Sequence, residues 1–585
     1  MDQASKLFIL IGKRSVLLFC LILNQPANAQ WRVASSDTMG PINVRQISTP
    51  NYKDAAHSRS GIEPRLRKGY PKIFLTHPAL KNFRNVTVED LDDDGADEII
   101  LGVADQLMVY KQDEIWWSKP LSGLARFPAA VGDLENDGIL DIVILTGFNE
   151  DPGMVYAFNA RGVDKPGFPK SFGDRWMISS PALADLDNDA HLEIICSDLE
   201  MGMGQVYVLK ADGTPFNDQW PVTLPNVPAV TPSIGDVDQD GTPDILINST
   251  REIFLFDLEG FPKPGWPFSN GQTKFSFQSP IITDLDGHPG LEIIAAGHGD
   301  LPLFLLLDQK GDPLENWPKA VPDKQWTFHP PTVINYRNQA LILTGRPITS
   351  NQEKPMLFAW RPDGTQLPGF PIVKAGGLEG VISVADIDDD LEPEIIFPSN
   401  MVDSLGNGFI HAYELDGSGE IDGFPLKMYG WTFLNGATIG DVDGNGKMDL
   451  IILTYTENPG SERDSAFLYV YELDAPMQTD RVWWPTYKGN NLRNGFIEGE
   501  KSTATLNTSR PVIKIFPNPV HEFLNIKNDS KVSFDLEIRN MYGVSIYSRS
   551  LFTCSGLTVE HLPAGIYFLH AKIQKDERLF RFLKL

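Results

Sequence analysis

The residues of this chain that are best suited to chemistry are carboxylates in a nine-residue loop. In the first such loop, acids stand at the first, third, fifth and ninth positions: Asp90, Asp92, Asp94 and Glu98. Gly95, at the sixth position, allows a sharp turn. Oxygen ligands at alternating positions that wrap around one point suit Ca²⁺, which binds about six to eight oxygens in a flexible shell. Because Mg²⁺ requires stricter octahedral geometry, the loop favours calcium.

The same ligand pattern recurs along the chain. Four further loops keep all four acids: Asp133, Glu135, Asp137 and Asp141; Asp185, Asp187, Asp189 and Glu193; Asp236, Asp238, Asp240 and Asp244; Asp386, Asp388, Asp390 and Glu394. A sixth loop exchanges one carboxylate for an amide oxygen and should still bind a cation: Asp441, Asp443, Asn445 and Asp449. In two of these loops the sixth position is not glycine but Ala190 or Leu391, which strains the turn.

A seventh loop departs further from the pattern. Its acids are Asp284, Asp286 and Glu292. His288 replaces an oxygen ligand and Pro289 replaces the turn glycine, so we expect a weaker site.

The charge of the whole chain points to cations as partners. Its 585 residues include 50 basic and 77 acidic side chains, a formal net charge of -27. Closely packed carboxylates repel one another without counterions, so metal binding is the simplest explanation of seven loops in register. For any single loop, an ordinary polar hairpin turn is the alternative. The same charge argues against nucleic acid or an anionic membrane surface as a partner.

The elements that position the loops repeat about every 50 residues. A small and apolar stretch precedes each loop and a β-branched run follows it, which predicts strand, loop, strand. A second apolar strand, a turn and a Gly-aromatic-Pro motif complete the unit, as in Gly167-Phe168-Pro169. Four short strands per unit predict the blade of a β-propeller, and no helix is required. A degenerate unit near Asn335 makes eight blades more favourable than seven.

Closure of such a ring requires a strand from one end of the chain. The outer-strand motif appears at Gly69-Tyr70-Pro71-Lys72, before any acidic loop, so this segment is expected to join the first and last units. The competing candidate is Trp484-Pro485-Thr486-Tyr487 near the other end.

The two ends of the chain carry different signals. Lys13-Arg14, an apolar stretch from Val16 to Leu23, and Ala27-Asn28-Ala29 have the order of a secretory signal peptide. We expect the mature chain to begin at Gln30 and to lack a transmembrane segment. The resulting domains are listed by residue: 1–29 signal peptide, 30–68 N-terminal extension, 69–497 β-propeller, 498–510 linker and 511–585 C-terminal domain.

The C-terminal domain shows alternating strands and little excess acidity. The expected strands are Val512 to Phe516, Phe534 to Ile538, Val544 to Tyr547, Ile566 to Ala571 and Leu579 to Leu583. They predict a small Ig-like β-sandwich. Cys196 and Cys554 lie in separate domains, so no disulfide framework is expected.

The acidic units resemble the FG-GAP and VCBS repeats of integrin α-subunit propellers and bacterial propellers. The resemblance rests on Asp-x-Asp-x-Asp-Gly-x-x-Asp followed by Ile, Leu or Val, and it covers roughly residues 69–497. It implies structural calcium in each intact loop, about five to seven sites in all. It also implies a binding or adhesion scaffold more often than an enzyme.

The C-terminal segment is similar to the type A sorting domain of the type IX secretion system of Bacteroidetes. The motifs that carry this resemblance are Ile515-Phe516-Pro517-Asn518-Pro519-Val520, Asn540-Met541-Tyr542-Gly543 and Leu562-Pro563-Ala564-Gly565-Ile566-Tyr567. It implies recognition of residues 511–585 by the secretion machinery. Removal of the domain and release or attachment at the outer-membrane surface would follow.

No catalytic motif stands out, and the carboxylate positions are explained by metal ligation. One set of side chains recurs before the first strand of the units and could stack on sugar rings: Trp176, Phe275, Phe277, Trp326, His329 and Trp431. The alternative is that they form core between blades. The sequence therefore predicts a secreted, calcium-stabilised binding or adhesion module for an extracellular glycan or protein. The alternative is a propeller enzyme, a polysaccharide lyase or glycoside hydrolase, acting on extracellular glycans.

Overall fold

The computed structural model divides the chain into two compact units, Met1–Glu500 and Lys501–Leu585. The residues that it describes are 30–35, 43–50, 63–76, 83–147, 151–199, 202–228, 230–285, 287–324, 329–456, 464–497, 513–516, 520–521, 523–528, 534–540, 545–551, 555–573 and 576–584. The predicted signal peptide and the predicted linker lie outside these residues. Among the described residues, no helix has the length and apolar character needed to span a membrane.

The protein is all-β, as the sequence predicts, and the described residues contain no α-helix. Among the described residues of the first unit, eight sheets whose consecutive strands are antiparallel follow one another along the chain, and two smaller sheets accompany them. Sheet one comprises Thr87–Glu89, Glu98–Val103, Gln106–Lys111 and Glu114–Pro120, and sheet two comprises Ala130–Gly132, Asp141–Thr146, Met154–Asn159 and Lys170–Ser171. Sheet three comprises Ala182–Ala184, Glu193–Ser197, Gly204–Leu209 and Val222–Leu224, and sheet four comprises Ser233–Gly235, Asp244–Asn248 and Ile253–Phe256.

The other four sheets follow the same order. Sheet five comprises Ile281–Thr283, Glu292–Ala296, Leu303–Leu307 and Lys319–Ala320, and sheet six comprises Thr332–Tyr336, Gln339–Gly345, Lys354–Trp360 and Ile372–Lys374. Sheet seven comprises Ser383–Ala385, Glu394–Pro398, Asn407–Glu414 and Leu426–Tyr429. Sheet eight contains Thr438–Gly440, Lys447–Tyr455, Asp464–Pro476, Lys72–Thr76 and Arg65–Leu66. Short 3-10 turns occur at Pro322–Lys324, Thr479–Arg481 and Tyr487–Gly489.

Each acidic loop joins the first strand of a sheet to the second. In sheet two, for example, Asp141 lies opposite Gly132 and Val143 lies opposite Ala130. The second strand is buried on both faces, which explains its continuous β-branched run. Buried apolar clusters join each sheet to the next, and one of them joins sheet eight to sheet one through Val88, Ile99 and Leu453.

The outer position of sheet eight is filled from the N-terminal end of the chain. Residues Lys72–Thr76 pair with the strand that begins at Asp464, with Phe74 opposite Ala466. This is the segment that the outer-strand motif indicates. The competing segment lies elsewhere, because Val482–Trp484 pairs with the first strand of sheet seven.

Residues 481–497, here called the belt segment, run along the first strands of several sheets. Backbone N–H groups of these strands donate to belt carbonyls at 2.8–3.0 Å in six pairs: Asp386 to Arg481, Ile439 to Pro485, Val131 to Asn491, Leu183 to Leu492, Ile234 to Asn494 and Ile282 to Gly495. The belt ends as Phe496–Ile497, a parallel neighbour of Ile281–Thr283. One segment therefore ties together strands from six sheets.

Smaller elements complete the first unit. Trp31–Ser35 and Asn43–Ile47 form a hairpin whose first strand pairs with Met401–Val402. Thr273–Lys274 pairs with His298–Gly299. In three aromatic-Pro pairs, the Trp220, Trp266 and Trp317 indoles donate to carbonyls of Leu258, Gln309 and Pro362 in the following unit.

The second unit contains two antiparallel sheets, which are Ile513–Phe516, Phe523–Asn528 and Ser555–Thr558, and Ser545–Leu551, Phe534–Asn540, Gly565–Ile573 and Asp576–Lys584. One buried cluster contains side chains of both sheets, including Leu524, Leu536, Leu557 and Leu569. The five strands expected from the sequence are present, with two that were not anticipated, Phe523–Asn528 and Ser555–Thr558.

Candidate metal centre

The ninth-position acid is the most uniform feature of the seven loops. In each loop this side chain is no more than 6% exposed: Glu98, Asp141, Glu193, Asp244, Glu292, Glu394 and Asp449. One of its carboxylate oxygens accepts the backbone N–H of the second loop position at 2.7–3.1 Å. This hydrogen bond ties the start of the buried second strand to the start of the loop.

The first-position Asp holds the turn closed. Its Oδ2 accepts the backbone N–H of the sixth position in six loops, the donors being Gly95, Gly138, Ala190, Gly241, Leu391 and Gly446. This position has a positive φ whether or not it is glycine, 71° at Ala190 and 75° at Leu391. The strain expected from the sequence is therefore present at both residues.

Among the described residues, these constraints bring carboxylate oxygens together in at least four of the loops. One ligand atom from each of three acids lies within 4.8 Å of the others in the following groups: Asp90, Asp92 and Glu98; Asp185, Asp187 and Glu193; Asp236, Asp238 and Asp244; Asp386, Asp388 and Glu394. Glu394 Oε1 is buried and has no hydrogen-bond partner among the described residues, whereas the buried Glu98 Oε1 and Asp244 Oδ1 lie 3.4 Å from Lys111 Nζ and 3.1 Å from Lys263 Nζ. A hard cation that takes oxygen ligands fits such a donor set.

Burial has an electrostatic cost at the ninth position. It raises the pKa of Glu98 and of Glu193 to about 7, and neighbouring loop carboxylates add to the effect. Burial and Asp388 raise the pKa of Glu394 to about 10. A positive charge placed among these groups would favour their ionised forms.

Basic side chains from outside the loops form ion pairs with acids of several loops. These contacts were not predicted from the sequence. Lys111 Nζ lies 2.6 Å from Asp92 Oδ2 and 2.7 Å from Asp94 Oδ2. Lys263 Nζ lies 2.8–3.1 Å from oxygens of three acids of its loop, Asp238, Asp240 and Asp244. Lys165 forms ion pairs with Glu135 and Asp141, and Arg67 forms an ion pair with Asp443. In these four loops a basic side chain already offsets part of the repulsion between the carboxylates. That repulsion alone therefore does not require a bound metal.

The remaining loops differ. At the Asp185 loop, His191 Nδ1 lies 3.2 Å from Asp189 Oδ1. At the Asp386 loop, Arg481 contacts Asp386 at 2.8 Å and also contacts Asp389. A signal for the basic partners was available in the sequence, because Lys165 and Lys263 both stand in Lys-Pro-Gly, just before the aromatic-Pro motif.

The two irregular units have their own geometry. At the Asp284 loop, Gly287 at the fourth position donates to Asp284 Oδ1 at 2.7 Å, and Asp286 lies outside the described residues. In the unit of Asn335, Tyr336 pairs directly with Gln339 across a two-residue turn. That turn leaves no nine-residue loop.

The six candidate ligand side chains do not form one exposed set. Phe275, His329 and Trp431 are at most 2% exposed, so their rings have no face available for stacking on a sugar. Burial also lowers the pKa of His329 to about 3. Trp176 and Phe277 are partly exposed, whereas Trp326 lies outside the described residues. Core packing thus accounts for the three buried members.

Comparison with known families agrees with these features. Residues 133–196 and 185–247 match the FG-GAP-like repeat, and residues 514–583 match the secretion system C-terminal sorting domain. The chain therefore contains FG-GAP-like repeats and, at its C-terminus, a sorting domain of the type IX secretion system. The matched repeats include the loops at Asp133, Asp185 and Asp236.

Several solved structures are similar at low identity. They include the V. cholerae biofilm matrix protein Bap1, with 13% identity, a TM-score of 0.34, and 76% of this chain and 93% of that chain covered. The C-terminal domain of Pseudomonas aeruginosa PilY1 has 10% identity and a TM-score of 0.34, with 65% and 92% covered. BBS1N in complex with ARL6DN has 10% identity and a TM-score of 0.35, with 60% and 94% covered. No curated protein matches the chain.

Proposed function

We propose that the protein is a calcium-stabilised β-propeller that acts as a binding or adhesion module at the cell surface or in the extracellular space. The observation that carries the proposal is the repeated loop in which a buried ninth-position carboxylate faces the other acids. The sorting domain implies export by the type IX machinery. The signal peptide at residues 1–29 would supply the first membrane crossing.

The eight sheets are proposed to be the blades of an eight-bladed propeller, followed by an Ig-like sandwich. Support comes from the apolar clusters that join each sheet to the next and the last sheet to the first. The closing strand Lys72–Thr76 and the belt segment would hold the ring. Residues 498–510 would then be a linker to the sorting domain.

Calcium would be held by the first, third, fifth and ninth positions of the loops. It would neutralise their carboxylates and fix the turn between the first and second strands. The Asp185 loop, where no Lys or Arg pairs with the described acids, is the strongest candidate. At Asp90, Asp133 and Asp236, calcium must compete with Lys111, Lys165 and Lys263 for the same oxygens.

Calcium binding is tested by thermal unfolding of the mature chain in calcium and in chelator. Metal that binds only the folded state raises the melting temperature by mass action. Asp187→Asn should lose one calcium by metal analysis, whereas Asn338→Asp, in the turn without an acidic loop, should gain none. A melting curve that chelator leaves unchanged would contradict the calcium role.

The binding role is tested on a glycan array together with a depolymerisation assay on the same glycans. Binding without cleavage is expected, and release of products would instead identify an enzyme. Trp176→Ala and Phe277→Ala test whether the partly exposed aromatics contribute. Loss of binding at an unchanged melting temperature would support contact, whereas early unfolding would place both residues in the core.

A further inference from the structure

We propose that the Asp386 loop holds two divalent cations, with Asp388 bridging them and Glu414 completing the second site. The inference rests on the calcium binding proposed above for the repeated loops. Two groups of acids overlap there: Asp386, Asp388 and Glu394, and Asp388, Asp390 and Glu414. Within each group the ligand oxygens lie within 4.8 Å of one another. Asp388 belongs to both groups, which is the arrangement of a bridging carboxylate.

Glu414 does not belong to the nine-residue loop. It ends the strand Asn407–Glu414, where it lies directly opposite Glu394 in the antiparallel register. The loop motif alone therefore cannot reveal it. Pairing of the two strands adds a fifth carboxylate to the four that the loop supplies.

Glu394 is the observation that points to a ligand. Its side chain is 0% exposed, and its Oε2 accepts the Ile387 N–H at 2.7 Å. Its Oε1 is buried and has no hydrogen-bond partner. Asp388, Glu414 and Asp390 all act on this carboxylate as negative neighbours. A buried acceptor that faces other acids is costly unless a cation lies between them.

In sheet eight, the corresponding acids have a positive charge beside them. There Glu472 lies opposite Asp449, as Glu414 lies opposite Glu394. Arg67 Nη1 lies 3.0 Å from Asp443 Oδ2 and 3.9 Å from both Asp449 Oδ2 and Glu472 Oε1. A guanidinium thus lies among the third-position acid, the ninth-position acid and the opposite glutamate. We assign the second cation of the Asp386 loop to the part of this role that involves the third-position acid and the opposite glutamate, Asp388 and Glu414.

Charge favours two ions over one. Five carboxylates converge in the Asp386 loop and its neighbouring strand, and Arg481, which contacts Asp386, is shared with Asp389. Two divalent ions would offset more of this negative charge than one. Paired metal ions that share a carboxylate typically lie about 3.5–4 Å apart.

The first experiment counts metal ions in the mature chain by inductively coupled plasma mass spectrometry. Glu414→Gln should lose one calcium per chain relative to wild type. Glu472→Gln is the matched control and should lose none, because Arg67 supplies the positive charge at that position. Equal calcium in wild type and Glu414→Gln would overturn the second site. A wild-type protein without calcium would instead contradict the function on which the site rests.

The second experiment needs no variant and therefore does not depend on one that folds. With Mn²⁺ in place of calcium, two ions bridged by Asp388 should give the exchange-coupled signal of a manganese pair in electron paramagnetic resonance. Isolated loop sites should give uncoupled spectra. A wild-type spectrum without a coupled pair, at full metal loading, would overturn the proposal.

Discussion

Asp97 and Asp441 are joined by two hydrogen bonds although 344 residues separate them. The Asp97 N–H donates to the Asp441 carbonyl at 2.9 Å, and the Asp441 N–H donates to Asp97 Oδ2 at 2.7 Å. Asp97 is the eighth residue of the first acidic loop, and Asp441 is the first residue of the last. The two loops are therefore neighbours, and their contact joins sheet one to sheet eight.

This contact predicts the effect of Asp97→Ala. The substitution removes the side-chain acceptor and leaves the Asp441 N–H unpaired, so the free energy of unfolding should fall by about 1–3 kcal/mol. Asp97→Asn keeps an acceptor oxygen and should lose less. Urea unfolding followed by fluorescence measures both variants. Equal stability of Asp97→Ala and wild type would show that the hydrogen bond contributes nothing to closure.

The belt segment predicts a large effect at Arg493. Its guanidinium is fully buried and donates to Thr87 Oγ1 at 2.9 Å and to the Tyr487 carbonyl at 2.5 Å. Arg493→Ala would leave these acceptors without their donor and open a cavity, so we expect a loss of about 3 kcal/mol or more. Arg161→Ala, at an exposed position, should change stability by less than about 0.5 kcal/mol. Similar losses in the two variants would contradict a structural role for the belt.

The sixth loop position predicts a stabilising substitution. Leu391 has a φ of 75° and is 64% exposed, so Leu391→Gly relieves backbone strain with little loss of buried surface. The free energy of unfolding should rise by about 0.5–1 kcal/mol, measured by denaturant titration in calcium.

Gly241→Ala is the reverse control for this prediction. Gly241 has a φ of 94°, and an added Cβ would meet nothing within 4 Å, so any loss reports backbone strain alone. We expect a destabilisation of about 1 kcal/mol. No effect in either variant would show that the loops relax to accept any residue.

The position of Lys263 predicts that its ammonium group and calcium compete for the same carboxylates. In Lys263→Met the three acids around its ammonium lose their positive partner, so the protein should melt earlier in chelator. In calcium the metal no longer competes with the ammonium, so the calcium-dependent rise in melting temperature should be larger than in wild type. Lys427→Met, at an exposed strand position, should leave that rise unchanged. An identical rise in Lys263→Met and wild type would contradict competition at this loop.

Features that depend on local spacing could be predicted from the amino-acid sequence. Apolar and β-branched runs on either side of the acidic loops, and the recurrence of these loops about every 50 residues, were enough to predict an all-β chain with repeated loops. The strand at Lys72, which pairs with the last sheet, was also anticipated, because Gly69-Tyr70-Pro71 is similar to Gly167-Phe168-Pro169, which precedes the outer strand of sheet two. The signal peptide, the domain boundaries and the bound calcium remain predictions.

The distant residues that contact the acids became evident from the fold alone. Lys111, Arg67 and Glu414 reach the clusters through strand pairing and sheet closure, which a nine-residue motif does not encode. Phe275 and Trp431 are likewise buried in apolar clusters. Their recurrence in the sequence was equally compatible with core packing and with ligand binding. The physical reason is the same in each case. Local spacing fixes a residue's position on its strand, whereas its neighbours are fixed by the packing of sheets that are remote in the sequence.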